Sequence, residues 1–302
     1  MTIRSKALTR IFVIIPIHNR RETTLACLKC LENQTFDNKQ IIVVDDGSTD
    51  GTSEAIAEQF PSVKVLTGDG NLWWTGAMNM GVRYVLGIAR KNAYILSLND
   101  DVSFESDYME NLAQVVQSHP NSLIGSVALD ERSLHVADGG VRINWLTAKY
   151  TRIGNGQLYS ELLSGGGDVW SVDVLPGRGT LIPVELFHKI GLYDQHRLPH
   201  YFADYEFSRR AAKSGFHLLI SANFVLCSQI GATGVNNRIR SITWRKLAKS
   251  FFMRRSPNCL RYRFNFARLS VPSHLFLPYL FFDVGRLCIG NIRAQLRKKD
   301  HA

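Results

Sequence analysis

The run IFVIIPI, Ile11–Ile17, is apolar at every position, without the alternation of a strand that has one face in water. Such a run predicts a strand buried on both faces, as in a parallel sheet covered by helices. QIIVVDD (Gln40–Asp46) repeats it, VKVLT (Val63–Thr67) gives a third strand and AYILSLN (Ala93–Asn99) a fourth. Between them the period becomes helical. Leu25, Leu28 and Leu31 share one face after RRETT, GSTDGT opens a second helix with Ser48, Thr49 or Asp50 as N-cap, and residues 75–90 form a third. Four β–α alternations in about 100 residues predict an α/β chain with a doubly wound open sheet.

Ligands of such sheets bind outside the carboxyl ends of the strands. Three of these ends carry polar clusters: HNR after the first strand, DDGSTD after the second and NDD after the fourth. Their coincidence at one edge predicts a site there.

Beyond about residue 130 the pattern changes. VRINWLTAKYTRIGNGQLYSELL alternates and contains Asn155-Gly156, which predicts a β-hairpin excursion. VDVLPGRGTLIP reads as strand, glycine-rich loop and strand, and YFADYEFSRRAAKSGF as a helix closed by Gly215.

Length and charge refine this. The 302 residues suffice for one large domain, or one domain with an appendage. The net charge of +10 is unevenly spread: residues 238–302 hold fifteen Lys and Arg against Asp283 and Asp300, leaving the body slightly acidic. Five cysteines without framework spacing point to a reducing compartment. Cys27 and Cys30 fall inside a helix, where an i,i+3 spacing is ordinary core packing rather than half of a metal site. The first ten residues lead straight into a strand, so no signal peptide is expected. No apolar run reaches the length of a spanning helix, and VPSHLFLPYLFFDVGRLCIG is broken by two prolines, His274, Asp283 and Arg286.

VIIPIHNR, VVDDGSTDGT, a Gly/Asn loop, LSLNDDV, a Pro-Gly-x-Gly loop and FADYEFSRRAAKSGF stand in the order and spacing of family 2 glycosyltransferases of the GT-A fold. The resemblance covers residues 10–235 and is strongest to rhamnosyltransferase-like bacterial members. It implies a mixed sheet flanked by helices over residues 1–237, with a nucleotide-sugar half (about 10–130) and an acceptor half (about 131–237). Residues 238–302 follow as a basic, aromatic extension.

The implied activity is inverting transfer from a nucleoside-diphosphate sugar to a hydroxyl of a glycan or lipid-linked acceptor, in bacterial surface polysaccharide assembly. Pro16, His18, Asn19 and Arg20 match the first nucleotide-contacting turn. Asp45 or Asp46 binds the nucleotide, unless Asp46-Gly47-Ser48 is only an Asx turn capping the next helix. NDD matches the D-x-D element, with Asn99 at its first acidic position, Asp100 as sugar or ribose contact and Asp101 as ligand of a divalent cation, Mg2+ or Mn2+. Asp204 matches the catalytic base, with Glu206 in reserve, since Ala203 replaces the first acid of the usual pair. Arg210, Gly177 and Gly179 match the acceptor side. Where many relatives place a last metal-binding histidine, Gln229 stands.

GDGNLWWTGAMNMG, residues 68–81, is no Walker loop, because no Lys-Ser/Thr follows its glycines. It matches the loop closing over the donor, with Gly76 and Asn79 at the start of a helix. If Trp73 and Trp74 are extended they point opposite ways, one to the core and one, Trp74, to the sugar.

The interleaved Trp244, Phe251, Phe252, Arg254, Arg255, Tyr262, Phe264 and Phe266 suit either docking on an anionic membrane surface or a helical pair that covers the catalytic domain or forms an oligomer. Nucleic acid is disfavoured, because the body offers no basic groove. A cytoplasmic protein, peripheral on the inner face of the membrane, is the implied location. A nucleotidyltransferase or a dinucleotide enzyme would need glycines directly after the first strand, and IPIHNRRE has none. A binding protein of the same fold without turnover is the remaining alternative, kept by Ala203, Asn99 and the absent histidine.

Overall fold

The computed structural model describes residues 9–165, 167–228 and 248–299, and for 291–299 the backbone alone. Gln229, Trp244 and the boundary at 237–238 lie outside the described residues.

The first half alternates as the apolar runs dictate: β1 (Arg10–Ile17), α1 (Arg21–Glu32), β2 (Lys39–Asp45), α2 (Thr52–Gln59), β3 (Lys64–Thr67), α3 (Trp73–Ile88) and β4 (Ala93–Ser97). Then come β5 (Val102–Ser103), α4 (Tyr108–Ser118), β6 (Ser122–Asp130), β7 (Val136–Asp138), β8 (Val141–Asn144), β9 (Lys149–Arg152), α5 (Tyr159–Ser164), β10 (Val169–Ser171), β11 (Thr180–Pro183), α6 (Val184–Ile190), α7 (Ala203–Lys213) and β12 (His217–Ser228). Two further helices close the described chain, α8 (Leu260–Ser270) and α9 (Phe276–Lys299).

The main sheet runs β10-β12-β6-β11-β4-β1-β2-β3. β1 is parallel to β2 and β4, β2 to β3, and β6 to β12, whereas β11 is antiparallel to both β4 and β6. Strand order reverses at β1, with β2 on one side and β4 on the other, and the crevice outside their carboxyl ends is the topological switch point. Because β11 runs backwards, its first residue, Thr180, pairs with the last residue of β4, Ser97. The 176–179 loop therefore reaches the same edge.

β1 has no polar alternation because helices cover both faces. Phe12 and Ile14 pack with Met78, Val82 and Val85 of α3; Ile11, Val13 and Ile15 pack with Leu28, Leu31 and Leu112. A third cluster joins Val141 and Ile143 of β8, Ala203 of α7, and Tyr262, Phe266 and Tyr279 of the C-terminal helices. Arg263 pairs with Asp283 at 2.7 Å, Arg286 Nε donates to Thr147 O, and the Tyr150 and Tyr279 hydroxyls meet. The C-terminal helices thus cover the hairpin and α7. No helix among the described residues is long and apolar enough to cross a membrane.

Two local expectations are corrected. The hairpin turns at residues 145–148, not at Asn155-Gly156, because Asn144 Oδ1 accepts from the amides of Leu146 and Thr147 and closes an Asx turn first. Gly156, with φ of 83°, makes a later turn that brings its amide to Val136 O. The two tryptophans are not extended: Trp73 has a left-handed φ of 59° at the start of α3 and Trp74 follows in its first turn, so the alternation of an extended segment does not apply.

Candidate functional site

The turn after β1 is bound to the turn after β2. Asn19 adopts a left-handed φ of 51°, which lets its amide donate to Ser48 Oγ (2.8 Å) while its Oδ1 accepts from Thr49 N (2.7 Å). His18 Nδ1 lies 2.7 Å from Asp46 O, a carbonyl that can only accept, so Nδ1 carries the proton. Nε2 then accepts from Asn19 Nδ2. Pro16 pairs with Val44 of β2 just past Ile14, the last residue paired with β4, where its missing N–H breaks no ladder on that side.

Both β2 carboxylates are engaged by the chain itself. Asp45 accepts from Ser48 N at 2.9 Å and from the Ser53 hydroxyl, an Asx turn into α2. Asp46 Oδ1 accepts from Gly70 N (2.8 Å) and Leu72 N (3.2 Å), and Oδ2 from Trp73 N (3.0 Å). It thereby gathers the 68–73 loop and the start of α3. A Cβ at Gly68 would lie 2.8 Å from Asp46 Oδ1, so the loop tolerates only glycine there without moving that carboxylate.

At the switch point the Arg20 guanidinium faces both acids after β4, Nη1 to Asp100 Oδ1 at 2.9 Å and Nη2 to Asp101 Oδ2 at 3.3 Å. Thr24 Oγ1 donates to Asp100 Oδ2. Burial drives the Asp100 carboxyl up to about 6 against the pull of Arg20. Two adjacent buried carboxylates supply the hard oxygen ligands that a small divalent cation shares with substrate phosphates. Among the described residues no third acid, histidine or cysteine joins them. Asp100 and Asp101 thus fit a cation completed by a diphosphate, at the position that Arg20 now neutralises.

Trp74 links this corner to the 176–179 loop and α7. Its Nε1 donates to Asn99 Oδ1 at 3.3 Å, and its ring meets Tyr193 edge-on at 5.6 Å between centroids. The same indole covers Gly177, whose amide donates to Asp204 Oδ2 at 2.8 Å. Asp204 Oδ1 accepts from Tyr205 N. Desolvation raises the Asp204 carboxyl above its ordinary range despite these bonds, and the nearby Asp138 carboxylate adds to the rise. Gly179, at φ of 73°, fixes the loop's exit: its amide donates to Ser97 O, and a side chain there would strike Ser126 and Leu226.

Four expected residues are engaged within the fold itself. Asn79 is 1% exposed, and its amide is spent on Tyr193 O, Tyr193 N and Gln195. Glu206 is held bidentately by Arg210 at 2.9 and 3.0 Å, and Arg210 also donates to the carbonyls of Ile190 and Leu192. Gly76 is buried against Leu72 in the first turn of α3. Sequence reasoning passed over Tyr193, Asp138 and Arg178, whose Nη1 donates to Ser228 Oγ at 3.0 Å. Only Arg178 left a signal, as a charged residue between two loop glycines.

A family model described as glycosyl transferase family 2 matches residues 12–164. An uncharacterised glycosyltransferase of Haemophilus influenzae is 31% identical over 109 residues, 36% of this chain and 35% of its own length. Glycosyltransferase GlyG of Streptococcus pneumoniae is 34% identical over 110 residues, 35% of each chain. The matched stretch thus spans about a third of these relatives. Among solved structures, mannosyltransferase PcManGT of Pyrobaculum calidifontis, in complex with GDP-Man and Mn2+, superposes with a TM-score of 0.58 at 18% identity, covering 94% of this chain and 71% of its own. GalNAc-T7 with UDP, GalNAc and Mn2+ gives 0.59 at 15% identity, covering 92% and 58%. At these identities the likeness is one of fold, the GT-A fold.

Proposed function

The chain belongs to glycosyl transferase family 2, and from that premise we propose that it is a glycosyltransferase that moves a hexose or deoxyhexose, with inversion, from a nucleoside-diphosphate sugar to a hydroxyl of a glycan or lipid-linked acceptor in bacterial surface polysaccharide assembly. One observation carries this reading: a continuous line of contacts runs from Asp100 and Asp101 through Asn99 and Trp74 to Gly177 and Asp204. An inverting transfer needs anionic phosphate at one end of the sugar and a proton acceptor at the other. The acidic pair with Arg20 suits the first end, and Asp204 the second.

The strand-end turns of β1, β2 and β4 position the nucleotide. Arg20 offers two donors to phosphate oxygens, and Trp74 and Gly177 form a flat floor on which a pyranose stacks. Asp204, held by two backbone amides and raised by desolvation, takes the acceptor hydroxyl's proton as that oxygen attacks the anomeric carbon. A divalent cation on Asp100 and Asp101 would neutralise charge building on the departing diphosphate. The Mn2+ in both related structures supports that cofactor, and their GDP-Man and UDP support the donor class. The basic C-terminal extension supports action at the inner face of the membrane.

The deciding test is thermal stabilisation of the purified protein by UDP-, dTDP- and GDP-sugars with and without Mn2+, followed by transfer assays on the donor found. The reading expects one donor to raise Tm, more so with Mn2+, and Asp101→Asn and Asp204→Asn proteins to fold but lose transfer. Normal transfer by either variant would overturn the assigned roles.

A further inference from the structure

A cavity of about 530 Å3 lies between the start of α3, the 195–199 segment and the C-terminal chain. One wall is Leu72, Trp73 and Gly76, from the loop that Asp46 gathers; the other is Phe251, Phe252, Arg254 and the first turn of α8. No acidic residue is among its described lining residues, and Arg254 and Arg261 form no ion pair among the described residues. Arg255 adds a third positive charge beside it, 5.3 Å from the centre of the Trp73 ring.

Two features mark this as more than a basic surface. The first turn of α8, residues 260–262, lines the cavity without a side-chain cap and without an acid, so the helix dipole adds to the positive field, while the amides of Leu260 and Tyr262 donate to Phe251 O and Cys259 O. Within that turn Tyr262 is 2% exposed, yet its hydroxyl has no hydrogen-bond partner among the described residues. A buried phenol without a partner carries a cost that an acceptor oxygen arriving beside it would relieve. Asn71, Gln195 and His196 are the other polar residues of a lining that is elsewhere apolar and aromatic, and its rim runs into Phe252 and Met253, which are 80% and 53% exposed.

We propose that this cavity binds the phosphate or diphosphate head of an amphiphilic acceptor, with the arginines and the Tyr262 hydroxyl on the anion and Phe251 and Phe252 against the first carbons of its chain. The proposal rests on the lipid-linked branch of the function above and locates that acceptor's head group. It also gives Trp73 and Trp74 separate tasks, Trp73 lining the acceptor cavity and Trp74 flooring the donor cleft, from neighbouring positions on one helical turn.

Calorimetry on the full chain tests it with dodecyl phosphate below its micellar concentration, inorganic diphosphate, dodecanol, UDP and phosphatidylglycerol vesicles, for wild type and for an Arg254→Gln/Arg261→Gln protein. Both arginines are exposed, so this variant is expected to fold. The expected result is saturable one-to-one binding of dodecyl phosphate, weaker binding of diphosphate and none of dodecanol. The double variant should lose at least tenfold affinity for both anions and none for UDP. Tyr262→Phe, which keeps the packing, should weaken dodecyl phosphate less than the double variant and more than threefold. Equal binding by wild type and double variant, displacement of dodecyl phosphate by UDP one for one, or binding to vesicles only would each overturn the proposal. Loss of UDP and donor binding with dodecyl phosphate binding intact would instead count against the donor reading and leave the cavity assignment standing.

Discussion

The Trp74 indole lies so close over Gly177 that a Cβ at residue 177 would come within 2.3 Å of Cζ2. Because the same glycine's amide holds Asp204, one contact sets both the proposed sugar floor and the proposed base. Gly177→Ala is expected to cost about 1–3 kcal/mol through overpacking. Transfer should fall about tenfold or more as Trp74 and Asp204 move off position. Urea denaturation and steady-state rates check this, and unchanged rates would show that the ring's seat on Gly177 does not matter to catalysis.

Asp46 holds three amides of the loop that borders the proposed donor cleft. Asp46→Asn presents an N–H group to at least one of those donors, and is expected to cost about 2 kcal/mol. Hydrogen exchange should quicken at Gly70, Leu72 and Trp73 while β1 and β4 stay protected. Uniform loss of protection would mean that Asp46 supports the whole sheet rather than this loop.

Arg20 and a divalent cation share the same two carboxylates in the proposed mechanism. Arg20→Gln leaves two buried acids without their counter-charge and should lower stability by about 2 kcal/mol, less than for a fully buried pair. Mn2+ should then raise the variant's Tm more than the wild type's. An equal rise in both proteins would show that guanidinium and cation do not compete.

Asp204 and Glu206 are separable by what each loses. Asp204→Asn should lower transfer by a factor of about 10²–10⁴ with little change in Tm. Glu206→Gln should cost about 2–4 kcal/mol, because Arg210 loses its bidentate partner, and retain most of the rate. The base must be ionised, and desolvation disfavours ionisation, so the acid limb of the rate profile should lie above the ordinary carboxylate range near 4. A limb at or below that range would place the base elsewhere.

The succession of strands and helices in the first half was legible because it depends on local signals. Unbroken apolar runs mark strands covered on both faces, and polar triplets follow three of them. What the sequence concealed is how side chains are spent. Asp46 finds its partners 24 to 27 residues later, and Asn79 finds its own more than 100 residues away. No local pattern encodes such distances. The hairpin expectation failed for a related reason: Asn155-Gly156 is a true turn, but Asn144 closes a turn before the chain reaches it. The conformation of the two tryptophans followed from a helix start set by a carboxylate on a different strand.

The reversed strand β11 has a consequence for how the molecule is made. β4 emerges some eighty residues before its second neighbour, so for that interval of synthesis the β1–β4 unit presents an unpaired central edge. Only when residues 180–183 dock does that edge close, and the docking carries Gly177 under Trp74 at the same moment. Closing that edge and seating Trp74 on Gly177 are therefore one folding event. A nascent chain stalled before residue 180 would hold the donor half with an open edge, at risk of pairing with another chain.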